Sequence, residues 1–222
     1  MMVHVFRLHL SGHYTRSVVQ PTFHFRYDLV PSFLVPSPSR DMAVLHLGAM
    51  GLSALGIALG AFGRTSALLF AILYAQFVVS ERTMFNNHYY LYILLALLLA
   101  LSSSTACYSL DARLAGRRST LTPMWEGDLI RLQICVVYFY AGVAKLNTDW
   151  LLHSEPMRTK LKSEASAYTP ELSWLLTHPT FAQFISLAGA VFDLAIAPLL
   201  LHQSSRRLAL VVCAAFHVRL LA

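Results

Sequence analysis

The run VVYFYAGVAKLNTDW, residues 136–150, stays apolar up to Lys145 and then turns to asparagine, aspartate and tryptophan. A lysine placed there can do one of two things. It can snorkel to a polar interface and mark the end of a helix, or it can be held neutral and take a proton. The second role needs the lone pair that an ammonium lacks. Burial supplies it, since moving a lysine from about 10.4 to about 7 corresponds to roughly 4–5 kcal/mol of differential solvation. Arginine, which stays charged in proteins, cannot substitute in that role. Helical spacing puts Tyr138, Ala141 and Gly142 on the Lys145 face. The two small residues predict a hollow beside the amine that a flat apolar molecule would fill.

Three further groups are candidates. MFNNHYYLY, residues 84–92, opens an apolar run with two asparagines and a histidine. Asn86 or Asn87 suits an N-cap, and Tyr89, Tyr90 and Tyr92 suit an interfacial aromatic belt. The alternative is that Asn87 and His88 bind a polar ring oxygen. Asp193 sits within ISLAGAVFDLAIAPLLL, where an intramembrane carboxylate is costly enough to suggest function or a close partner. The expected partner is His217 on the following helix, as a structural pair or as a support for the site. The histidines show neither HxxH nor HExxH spacing, so no metal is expected. Cys107, Cys135 and Cys213 form no CxxC and read as small hydrophobes.

The elements that must position these groups follow from composition. The chain has 222 residues, 56% hydrophobic and 13% charged, with a mean hydropathy of +0.55. That balance belongs in a bilayer rather than in a soluble domain. About six apolar runs read as membrane helices: Met42–Gly63, Ser66–Ser80, His88–Ser102, Leu129–Lys145, Phe184–His202 and Leu208–Ala222. The second, third and sixth are short for a hydrocarbon core of about 30 Å. The fold class expected is therefore an all-α polytopic transmembrane bundle. Residues 1–41 read as an interfacial or loop segment with no convincing helix before residue 20, and residues 42–222 as the transmembrane domain. The net charge of +6 is dispersed and carries no nucleic-acid motif; loop charges beside anionic headgroups account for it. If each run crosses once, Asn87, Lys145 and Trp150 share one side of the membrane, the exoplasmic or luminal one by the positive-inside rule.

FNNHYYLYILLALLLAL, RLQICVVYFYAGVAKLNTDW, VFDLAIAPLLL and AAFHVRLLA occur in an order and spacing that resemble the membrane domain of vitamin K-dependent gamma-glutamyl carboxylases and carboxylase-like proteins. NNHYYLY and YFYAGVAKLNTDW are the specific motifs. The resemblance implies a membrane enzyme in which Lys145 deprotonates vitamin K hydroquinone. The hydroquinone then reacts with O2 to give a strong base that removes a glutamate gamma proton, and the carbanion captures CO2. It implies catalytic roles for Lys145 and His88 with Asn87 beside the quinone; the face of Lys145 adds Tyr138 and Gly142 as quinone contacts, and Asp193 and His217 are candidates to support them. Membrane lipid and a glutamate-containing protein substrate are the implied partners. The implied location is the endoplasmic reticulum membrane in a eukaryote and the plasma membrane in a bacterium. The family's large luminal region has no counterpart before Ala222, so a partial copy of a larger protein is expected. The rival reading is a quinone- or lipid-binding membrane protein that does not carboxylate glutamate, or an inactive fragment.

Overall fold

The computed structural model describes residues 2–12, 14–21, 23–31, 35, 39–103, 105, 108–116 and 123–221. These residues form helices joined by turns, and no strand occurs among them. They divide into two compact units, residues 1–126 and 127–222.

The first unit contains α1 (Met2–Leu10), a π-helical turn (Thr15–Val19), α2 (Arg40–Leu59), α3 (Gly63–Ser80), α4 (Asn87–Leu101) and α5 (Leu110–Leu114). Each long helix starts on a side-chain cap. Ser39 accepts from Met42 N at the start of α2, and Asn86 accepts from His88 N at the start of α4. The first turn of α3 is capped from α5, because the Asp111 carboxylate accepts from Phe62 N at 2.9 Å and Gly63 N at 3.0 Å. A negative charge there also complements the helix dipole. Gly60 closes α2 in the left-handed conformation, with φ at 64°. A Cβ added to it would lie 2.4 Å from that of Ser109, so the position requires glycine on two counts.

The core of this unit is aromatic. Tyr14, Met50, Phe70, Tyr74 and Phe77 are fully buried. Tyr14 OH donates to His46 Nδ1 at 2.5 Å, and His46 Nε2 donates to the Leu73 carbonyl at 2.9 Å. That second bond fixes the tautomer and leaves Nδ1 as the acceptor. Burial pushes the Tyr14 phenol well above its ordinary range, so it remains a donor.

α1 corrects the expectation that no helix precedes residue 20. His4, Arg7 and His9 break the hydropathy of the segment without breaking its amphipathic spacing. Val5 and Leu8 are buried one turn apart, while His4 lies against the rings of Tyr89 and Tyr92 at 4.9 and 5.4 Å.

The second unit holds most of α6 (Met124–Ala144), the short helices α7 (Thr148–Leu151), α8 (Met157–Ala165) and α9 (Pro170–Thr177), and the long α10 (Pro179–Leu201) and α11 (Arg206–Leu221). Cys135, Ile196, Ala197, Leu200 and Ala209 form its buried core. α7, α8, α9 and α11 all pack on α10. Pro170 and Pro179 occupy the first positions of α9 and α10, where the missing N–H costs nothing.

All six apolar runs are helical. α2, α3, α6 and α10 are long and apolar enough to cross a membrane. Gly63, Arg64 and Thr65 join α3 and bring the short second run to 18 residues. α4, at 15 residues, reaches only about 22 Å. Only a third of the apolar window of α2 and of α10 is buried within the protein. The remaining apolar surface, with Leu45 and Leu52 among the exposed side chains, is what a lipid solvent accommodates.

Candidate functional site: a buried lysine–aspartate pair

The end of α6 builds the site. Its last turn tightens as Lys145 N bonds to the Gly142 carbonyl and Leu146 N to that of Val143. Asn147 then acts at two helix ends at once. Its Nδ2 donates to the Ala144 carbonyl at 2.7 Å, closing α6, and its Oδ1 accepts from Trp150 N at 2.9 Å, opening α7. The reversal returns the chain so that the Trp150 ring lies 5.0 Å from Lys145 Nζ, within cation–π range. Trp150 is fixed from its other side by Nε1 donating to the Ser186 carbonyl at 2.7 Å.

α10 supplies the opposing wall. Ser186, Gly189 and Asp193 follow one face at helical spacing. The Trp150 ring lies over Gly189, 4.0 Å from where a Cβ would be, an ordinary contact distance. Lys145 Nζ donates to Asp193 Oδ2. The carboxylate side chain is 6% exposed and that of the lysine 21%, so the acid is buried and the lysine side chain only partly so. Ser186 Oγ, fully enclosed, has no hydrogen-bond partner among the described residues.

Two expectations change here. Asp193 pairs with Lys145 and not with His217, whose Nδ1 bonds to the Cys213 carbonyl of its own helix at 2.9 Å. An ammonium satisfies a buried carboxylate better than an imidazole that already has a backbone partner. The hollow beside Gly142 is also closed: a Cβ there would lie 2.7 Å from Leu194 Cγ and Cδ2, and 3.0 Å from Leu194 N. Gly142 lets α6 and α10 approach closely, the usual task of a small residue between membrane helices. Tyr138 packs edge-on to Phe192 at 5.8 Å and to His217 at 6.2 Å.

Asn87 and His88 belong to the first unit, and Lys145 to the second. Both side chains at the start of α4 are exposed. His88 Nδ1 lies 2.9 Å from Asn86 Oδ1, an oxygen that can only accept, so Nδ1 carries the proton. The Nε2 of the neutral ring is then an acceptor. Sequence reasoning missed the group that braces the α3–α4 connection. Glu81 is 3% exposed and accepts from Phe25 N at 3.1 Å and Thr83 Oγ1 at 3.2 Å; His24 Nδ1 is also 3.2 Å from it. Its only signal was a carboxylate directly after an apolar run. Trp150 likewise gave no warning beyond its type.

An α-helical membrane domain with a lysine–aspartate pair at the end of one spanning helix is the class these features define. Residues 1–220 match the family model described as HTTM domain. The chain belongs to that family, the membrane domain of the vitamin K-dependent carboxylase family, and is an integral membrane protein. No solved structure matches it.

Proposed function

We propose that the chain is a carboxylase-like membrane enzyme in which Lys145 takes a proton from a reduced naphthoquinone. The observation that carries the reading is the Lys145–Asp193 pair, its acid buried and its lysine side chain partly exposed, in a chain of the HTTM family.

The surroundings of Lys145 suit a hydroquinone at the amine and not at Gly142, where Leu194 fills the space. Trp150 offers an aromatic neighbour, and the exposed part of the lysine is the place for a ring hydroxyl. When bound beside Lys145, a hydroquinone would supply the electrons for O2 reduction that drives removal of the glutamate gamma proton before CO2 adds.

The chain's own residues handle one proton. An ammonium cannot accept, so the pair must first pass the Nζ proton to Asp193 Oδ2 along their hydrogen bond. The amine then takes the hydroxyl proton and becomes ammonium again. Asp193 stores the displaced proton and orients Nζ, while Trp150 limits where the lysine can swing. The experiment is hydroquinone-dependent incorporation of labelled CO2 into a glutamyl peptide by the full-length protein in vesicles, with quinone epoxide measured in parallel. Both products are expected; the absence of both would refute the reading.

The closed Gly142 face favours a second reading, in which the chain binds a quinone or lipid without carboxylating glutamate. Quinone binding without CO2 incorporation distinguishes it.

A further inference from the structure

We infer that the first unit carries a site for one anionic phospholipid, in the cavity where the π-helical turn meets the first turns of α2. The cavity has a volume of about 530 Å³. Its polar wall consists of Thr15, Arg16, Gln20 and Arg40, and no carboxylate lines it. Two guanidiniums without a lining acid select an anion, and their planar donors match phosphate oxygens. Arg16 spends one N–H group on the Ser11 carbonyl, which leaves others for a ligand.

The rest of the lining is Gly12 and the apolar Val19, Val44 and Leu47. Val44 and Leu47 belong to the first two turns of α2, a helix long and apolar enough to span a membrane. A membrane therefore puts the arginines at headgroup level and the apolar floor just inside the hydrocarbon. A free phosphate would satisfy the arginines and leave this floor wet. A lipid with a phosphate head and acyl chains satisfies both parts. The site lies wholly within residues 1–126 and is independent of the chemistry at Lys145.

The test uses the full chain in nanodiscs, with retained lipid counted by native mass spectrometry. One phosphatidylglycerol should stay bound in preference to phosphatidylcholine. Arg16→Gln with Arg40→Gln should weaken that preference roughly thirty-fold, from about five-fold per arginine near a membrane surface. Val44→Trp keeps both charges and should lower it comparably by filling the acyl seat. Val44 is 56% exposed, so the larger side chain is compatible with folding. The control, Arg64→Gln with Arg113→Gln, removes the same charge from exposed positions outside the cavity and should change nothing. Inorganic phosphate titrated into discs of mixed phosphatidylglycerol and phosphatidylcholine should not displace the bound lipid. Unchanged preference in the Arg16/Arg40 variant, an equal loss in the control, an unaffected Val44→Trp variant, or phosphate binding as tightly as the lipid would each overturn the proposal.

Discussion

Lys145 Nζ and Asp193 Oδ2 are joined although 48 positions separate them, the lysine at the end of α6 and the aspartate within α10. The contact fixes the register of two long helices of the second unit. It also puts the one lysine near a spanning segment's end beside a group that can hold its proton. A buried ion pair contributes little net stability against apolar replacements, but removing one partner strands the other charge.

That asymmetry gives the first prediction. Lys145→Met and Asp193→Leu should each destabilise the second unit by about 3–5 kcal/mol, whereas the double variant should recover most of the loss. Unfolding in detergent, followed as a double-mutant cycle, measures the coupling. Strictly additive effects would mean that the pair does not form.

Gly142→Ala should destabilise through overpacking, by about 1–3 kcal/mol, because its Cβ would sit 2.7 Å from the Leu194 side chain. Leu194→Ala in the same chain should restore part of that loss and not all of it, since Leu194 N remains 3.0 Å away. Thermal unfolding of the three variants checks this. A neutral Gly142→Ala would show the helices farther apart.

Glu81→Ala should loosen the connection into α4, leaving the Phe25 N–H and the Thr83 hydroxyl without their acceptor. The expected cost lies below the roughly 1–3 kcal/mol of a stranded buried group, because Phe25 and Thr83 are exposed and water can replace the lost acceptor. Amide exchange at Phe25 and through residues 82–90 should accelerate, and His24→Ala should have a smaller effect. Unaltered exchange at Phe25 would rule out the brace.

The six-span reading expects position 86, beside the Asn87–His88 pair, and position 148, beside Lys145, on one side of the membrane. Single cysteines placed there should react alike with an impermeant reagent in sealed vesicles. Opposite reactivity would overturn the six-span topology.

Much of the fold was legible because long apolar runs are a strong signal: all six are helices within a few residues of their expected bounds. α1 was not, since His4, Arg7 and His9 mask a short amphipathic face in any average of hydropathy. Lys145 and Asp193 were each identifiable by type and depth in an apolar run. Their pairing was not, because spacing within one helix says nothing about which partner a neighbouring helix presents. The same limit explains Gly142: two small residues define a gap on one helix, and only the packed neighbour shows that Leu194 fills it.

Lys145→Arg tests the central claim most directly. Arginine keeps the cation, can still pair with Asp193 and can still reach an interface, yet it cannot give up its proton. With the full-length protein in vesicles supplied with hydroquinone and O2, we expect normal insertion and loss of epoxide formation by at least about 100-fold, the usual scale for a general base. Epoxide formed at the parent rate would make Lys145 an anchor and contradict the proposed mechanism.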